Sequence, residues 1–398
     1  MKKLLTATAA AALMTGAASA EEIKIGVLLG FTGPIESTVA HMGPAAHMAI
    51  KEVSESGLLL DGATVTAVNG DSTCVDSGAA TAAAERLITS DGVKGIVGGD
   101  CSGVTGAVLT NVAMPNGVVM ISPSATSPAL SHMNNEDNGL FFRTAPSDAR
   151  QGVVMTDVLM EQGIKEVAVT YTNNDYGKGL ADAFAEAYEA AGGTVTISAA
   201  HEDGKADYSA EVGALAAAGG ERLVVAGYVD QGGAGIVRAA LDTGAFDTFH
   251  FPDGMMSDAL VANFGDEIEG STGQHPSPSE ELASRFKEVT AASGMDFEPT
   301  TPFAPESYDA AALILLAMQA AGSSDPNVYK DKVEMVANAP GEQIQAGELA
   351  KGLEILANGG DIDFVGGTGV ELVGPGEAAG LFREVLIEGG EDKTVTFR

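Results

Sequence analysis

The chain has no tryptophan, only two cysteines, and 21 lysines and arginines in 398 residues. Against those few cations stand 55 acidic residues, a formal charge of −34 that argues against nucleic acid or an anionic lipid surface as partner. No apolar run reaches the length of a membrane span. The longest candidate, "AALILLAMQAAG" at 311–322, falls short. Motifs of catalysis are missing too. There is no G-x-S-x-G elbow and no P-loop, and "GGAGIVRAA" at 232–240 lacks the third glycine and the preceding context of a dinucleotide fingerprint. The six histidines, at 41, 47, 132, 201, 250 and 275, show no spacing with cysteine or paired carboxylates that builds a transition-metal site. Acid pairs such as Glu21-Glu22 and Glu280-Glu281 read as solvated faces. These absences lead us to expect no catalytic residues, no cofactor and no metal.

What is present begins with Lys2 and Lys3, an apolar stretch from Leu4 to Met14, and "ASA" at 18–20. That is the pattern of a secretory signal peptide, cleaved after Ala20. Glu21 then follows the cut where a lipid-anchored protein would carry cysteine, so a freely diffusing periplasmic protein is expected. Loss of Lys2 and Lys3 takes the formal charge from −34 to −36. The charge itself reads as a solvated, self-repelling surface and says nothing of ligand. In an exported chain the even pair Cys74 and Cys101 is read as a disulfide, the alternative being two unrelated buried thiols.

From Ile23 onward, β-branched runs ("IKIGVLL", "ATVTAVNG", "VKGIVGG", "VVMIS") alternate with Ala-rich segments of helical period, among them 44–56 and 77–89. A second series follows "FFRTAPSD", with strands "EVAVTY", "TVTIS", "RLVVAGY" and "TFHF" between helical segments. Strand alternating with helix implies parallel sheets, and each series suffices for one lobe. The fold class is α/β, two doubly wound parallel-sheet lobes joined by three hinge crossings. The segments beyond 270 are mostly helical and suggest a return to the first lobe, before "LFREVLI" and "KTVTF" form a hairpin around "EGGED". Linkers are expected at 143–146, 270–276 and 364–370. The expected division is signal peptide 1–20, lobe one 21–145 and 272–364, lobe two 146–271 and 365–398.

Two loops attract attention. "VKGIVGG" is followed by Asp100-Cys101-Ser102-Gly103 and a helix, which puts Ser102 where unpaired N–H groups and the helix dipole favour an anion, although Ser102 capping its own helix fits the segment equally well. "VVMISPSATSPAL" places Ser122, Ser124, Ala125 and Thr126 beyond the next strand, at the sheet edge where open α/β sheets bind ligands, unless these residues simply make a turn.

"DCSGVTG", "ISPSATSPAL", "FFRTAPSD", "NNDYGKG" and "AGYVDQGG", in that order and at these distances, resemble the leucine/isoleucine/valine-binding protein family of periplasmic receptors. The resemblance extends over essentially the whole mature chain and implies the type I periplasmic binding protein fold. It implies that Ser102 and Thr126 hold an α-carboxylate, with Ala125 between, while the Ser124 carbonyl meets the α-ammonium. On the second lobe it implies that Tyr176 and Tyr228 close over the ligand and that Asp253 faces the ammonium, one methylene shorter than the family's glutamate. The resemblance further implies that Phe303 lines the side-chain pocket. By the same resemblance Thr38 takes the place of the family's side-chain-contacting tyrosine, which implies a larger or more polar pocket.

The function so implied is a periplasmic substrate-binding protein of an ABC transporter. It is expected to capture a hydrophobic or branched-chain L-amino acid by lobe closure, deliver it to the permease subunits in the inner membrane, and act as a monomer. Two alternatives remain: a receptor for an amide, urea or an aromatic carboxylate, and an exported ligand-sensing module.

Overall fold

A computed structural model describes residues 21–133, 136–374 and 376–398; the expected signal peptide, 1–20, lies outside the described residues. Five short strands form the first sheet: β1 (Glu22–Leu29), β2 (Thr64–Asp71), β3 (Ile96–Gly98), β4 (Met120–Ser122) and β5 (Phe141–Arg143). They run parallel in the order β2-β1-β3-β4-β5. Helices cover both faces, which is why Ile25, Val27, Leu28 and Leu29 of β1 are all buried and the strand reads as a continuous apolar run.

The helix Glu36–Ser56 begins eight residues before the segment expected from the sequence, with Pro44 inside it. Proline favours the first turn, so the sequence reading started there. Thr38, Val39 and Met42 are nevertheless buried ahead of Pro44, in line with Ala45, Ala46 and Ala49 after it. That extra apolar stripe offsets the roughly 3 kcal/mol an interior proline costs.

The second sheet contains β6 (Glu166–Thr172), β7 (Thr194–His201), β8 (Arg222–Ala226), β9 (Phe249–Phe251) and β10 (Thr272–Pro276). Its order from one edge is β7-β6-β8-β9-β10, all parallel. Two further pairs, β11 (Glu342–Gln345) with β12 (Ile362–Gly366) and β13 (Leu372–Gly374) with β14 (Glu377–Ala378), belong to neither large sheet. The terminal hairpin β15 (Phe382–Glu388) and β16 (Glu391–Phe397) turns at Gly389-Gly390, both at positive φ, and adds antiparallel to β10.

Two of the expected crossings move. Residues 272–276 are not a linker. They form β10, hydrogen-bonded to β9 and β15, so the chain leaves the second sheet only at 277–279. Residues 365–378, expected in the second lobe, stay with the first. Gly367 and Thr368 donate to the buried Asp309 carboxylate, Arg143 N donates to Gly376 O, and Ala378 bridges Pro146. The third crossing is therefore 379–381. Glycine and proline mimicked linkers at both places, whereas sheet pairing and a buried acceptor decided the path. The helix Ala304–Ala321, buried along nearly its whole length, packs beside the helix Glu36–Ser56 and against β3 and β4 of the first sheet.

Candidate functional site

In the first sheet the strand order reverses between β1 and β3, and in the second between β6 and β8. Loops leaving adjacent strands at such a point diverge and open a crevice at the carboxyl ends. Here the two crevices face each other. Together they enclose a cavity of about 30 Å³ lined by Ile35, Thr38, Asp100, Cys101, Ser102 and Ser124 on one side, and by Tyr176, Tyr228, Asp253 and Gly254 on the other, with Phe303 closing one wall. So small a space holds a water or two, so a larger guest enters only if the walls part.

The first wall is held by its own loops. Cys74 and Cys101 are disulfide-bonded, with Cα atoms 5.1 Å apart, and tie the loop after β2 to the loop after β3. Asp100, fully buried, accepts from Gly30 N and from Ser72 Oγ, so one carboxylate links the ends of three strands. Burial pushes that carboxyl above its usual range. Ser102 opens the helix Ser102–Val108; its Oγ accepts from Ser127 N at 3.1 Å, which leaves the hydroxyl proton free to donate. Ser124 Oγ donates to Asp100 O at 3.0 Å.

Ala125 and Thr126, expected at the ligand, do not line the cavity; they stand behind it. Ala125 N donates to Ser122 Oγ, and Ala125 O accepts from Arg143 Nη1. Thr126 O accepts from Asp148 N, and Thr126 is buried. Arg143, wholly buried, explains the shape of this loop. Its guanidinium also reaches Ser127 O and Ser131 Oγ, and clasps both oxygens of Glu377 at 2.9 and 2.7 Å. Five donors in a planar fork can bind several carbonyls and a carboxylate at once.

The second wall is polar in the opposite sense. Asn174 caps the helix Asp175–Ala190 by accepting from Gly177 N, which fixes Tyr176 in the first turn. The Tyr176 and Tyr228 rings stack, centroids 5.2 Å apart. Tyr176 Oη donates to Asp253 Oδ1 at 2.6 Å and accepts from Gly254 N. Asp253 is 3% exposed, and burial raises its carboxyl. Asp148, wholly buried, is raised well above the usual range, first by burial and then by the Asp253 charge. Gln151 joins the two acids: its Nε2 donates to Asp148 Oδ1 and its Oε1 accepts from Asp253 N and Gln274 Nε2. Phe303 caps the helix Ala304–Ala321 with φ of 68°, a left-handed conformation uncommon outside glycine.

Thus the structure gathers Thr38, Ser102, Ser124, Tyr176, Tyr228, Asp253 and Phe303 around one cavity. Sequence reasoning missed Asp100, Asp148 and Gln151. Asp100 had a signal, an acid in the turn between a buried strand and a helix; the other two sit at an ordinary helix start.

The model of the family described as periplasmic binding protein matches residues 22–337. The leucine-, isoleucine-, valine-, threonine- and alanine-binding protein of Pseudomonas aeruginosa is 29% identical over 327 residues, covering 82% of this chain and 86% of that one. Leu/Ile/Val-binding protein homolog 3 of Brucella melitensis is 30% identical over 325 residues, with 81% and 86% covered. Among solved structures, the leucine-binding protein LivK of Thermotoga maritima superposes with a TM-score of 0.76 at 23% identity, covering 94% of this chain and 98% of that one. A solute-binding protein from R. palustris in complex with 4-hydroxybenzoate gives a TM-score of 0.75 at 20% identity, with 95% and 97% covered.

Proposed function

Because the chain belongs to the periplasmic binding protein family, we propose that it is the substrate-binding component of an ABC transporter, capturing a hydrophobic or branched-chain L-amino acid for delivery to a membrane permease. The observation that carries the ligand class is the polarity of the cavity. The helix start and hydroxyl at Ser102 suit a carboxylate on one side. Asp253, with Asp148 behind it, suits an ammonium on the other. A zwitterion satisfies both at once. The stacked tyrosines and Phe303 supply apolar walls for the side chain, and Thr38 leaves room beside them.

Binding needs no bond to be made or broken. The disulfide and Asp100 preorganise the first wall, so little ordering entropy is lost when a carboxylate docks there. The second wall then adds Tyr176, Tyr228 and Asp253. Contacts made only in the closed form shift the hinge equilibrium towards closure, and closure is what the permease reads. On this reading the protein works as a monomer in the periplasm.

An aromatic carboxylate, the ligand of the R. palustris neighbour, is the second reading. It has no cation to offer Asp148 and Asp253, and a charged buried acid left unpaired costs about 1–3 kcal/mol or more. Thermal-shift measurements on ligand-stripped protein separate the two. Saturating leucine, isoleucine, valine, threonine or alanine should raise Tm for at least one, because ligand in large excess over Kd stabilises the protein by several kcal/mol. Stabilisation by benzoate or 4-hydroxybenzoate, with none by any amino acid, would overturn the proposed ligand class.

A further inference from the structure

Gln151 is wholly buried and does not line the cavity, yet its amide holds the acid that does. Its Oε1 accepts from Asp253 N at 3.1 Å and from Gln274 Nε2 at 3.2 Å, and its Nε2 donates to Asp148 Oδ1 at 2.7 Å. A primary amide carries an acceptor and a donor in one plane, which is what a backbone N–H on one side and a carboxylate on the other require. The backbone is pinned here as well. Gly152 follows, and a Cβ there would stand 2.8 Å from Ala183 C and Phe184 N of the helix Asp175–Ala190, which carries Tyr176. Only glycine lets the two helices approach so closely where Gln151 leaves the chain.

The helix Asp148–Glu161 that bears Gln151 meets all three crossings. Its first residue, Asp148, follows the first crossing and donates its N–H to Thr126 O in the loop beyond β4. Gln274 lies in β10, just before the second crossing. Val154 and Val158 pack on Phe382, which follows the third. Gln151 thus joins the turn of Asp253 to the part of the second unit from which every connection to the first departs.

The charge around the amide is confined to the two acids. Burial raises the Asp253 carboxyl, while Tyr176 and Gln151 pull it the other way. Asp148 is raised by burial and then by the Asp253 charge, against Thr126, Gln151 and Arg143. The other titratable groups nearby are committed or neutral. Tyr176 donates to Asp253, and Glu384, level with Gln274 across β10 and β15, is paired with Arg398. Burial depresses His250, on β9, to about 3, so its ring carries no charge near neutral pH.

We propose that Gln151 is a positioning residue for ligand capture: its amide fixes the Asp253 carboxylate where a ligand ammonium reaches it and ties that carboxylate to the hinge. The role rests on the amino-acid reading above, and it belongs to a side chain that never meets the ligand.

Calorimetry on ligand-stripped protein tests it, with leucine, isoleucine, valine, threonine and alanine titrated at about pH 6 and about pH 8. Gln151→Met keeps the length of the side chain and removes all three hydrogen bonds. Near pH 8 it should bind the tightest of these amino acids about tenfold or more weakly than the wild type, as for one or two lost hydrogen bonds. The deficit should widen several-fold near pH 6, because without the amide Asp253 and Asp148 hold their protons more tightly and an ammonium needs them charged. A side chain that only supports packing would lose the same factor at both pH values. Gln151→Asn, whose amide is one methylene short of its partners, should show the same widening and decides the matter if Gln151→Met does not fold. Affinity within about twofold of the wild type, or an equal deficit at both pH values, would overturn the role and leave amino-acid capture standing. Wild-type protein that binds none of these amino acids would overturn capture itself, and this role with it.

Discussion

Asp253 and its neighbours show how much of this protein's chemistry rests on single side chains. The carboxyl accepts from Tyr176 Oη and Gly254 N, so its position is fixed before any ligand arrives. Asp253→Asn keeps the shape but removes the charge and should weaken amino-acid binding by about tenfold or more in calorimetry, the usual loss for a charge-assisted hydrogen bond. Because burial raises both Asp253 and Asp148, an incoming ammonium must draw them into their charged forms. Binding should therefore release protons and weaken as pH falls from neutral, which heats of binding in buffers of different ionisation enthalpy will reveal. Glu306 gives a separate pH signature. Its carboxyl binds a proton more tightly folded than unfolded, between its ordinary 4.5 and about 8, so its contribution to stability is present at the acid end and lost as pH rises through that window. In Glu306→Gln that slope disappears: urea midpoints at the two ends of the window should show the variant gaining on the wild type as pH rises.

At the scale of elements, the ligand-facing loops are held from behind. Arg143 ends β5, yet its guanidinium organises 125–131 and fastens it to the returning strand β14 through Glu377. Removing one partner of a buried ion pair commonly costs about 3–5 kcal/mol, so Arg143→Met should lower stability to urea by that order and weaken ligand binding without touching the cavity. The disulfide acts on the other side of the same wall. Reduction, or paired Cys74→Ser and Cys101→Ser, should cost roughly 3 to 4 kcal/mol of unfolding free energy for a loop of this span, on the chain-entropy model. Unchanged urea midpoints would show that the loop is held by Asp100 alone. None of the partners of Arg143 is close to it in sequence, and that is why its role was not legible there: "FFRTAPSD" gives the arginine but not the carbonyls it reaches.

For the whole molecule, the two units touch outside the cavity as well. Ser37 N donates to Asp230 Oδ2 at 2.9 Å, and Asp230 N donates to Pro34 O, joining the start of the helix Glu36–Ser56 to the loop after β8. These contacts exist only when the units are together. Asp230→Ala should therefore favour the parted arrangement, seen as a larger radius of gyration of ligand-free protein in solution scattering. Amino-acid affinity should fall about two- to tenfold, as for a single exposed hydrogen bond. An unchanged radius and affinity would show that the cavity residues alone hold the units together.

The alternation of β-branched runs and Ala-rich helices determined the α/β class, because parallel strands covered on both faces must be apolar throughout while their connections keep a helical stripe. Small polar residues just past strand ends marked Ser102 and Ser124, since close approach and free N–H groups are properties of local sequence. The crossings were another matter. Whether 272–276 is strand or linker depends on β9 and β15, and whether 365–378 stays with the first unit depends on Asp309, β5 and Pro146. Likewise Thr126 left the cavity and Asp100 entered it through contacts far along the chain. Local propensity is encoded within a few residues. Burial of charge and pairing of strands depend on what folding brings from a hundred residues away, and only the tertiary structure supplies that.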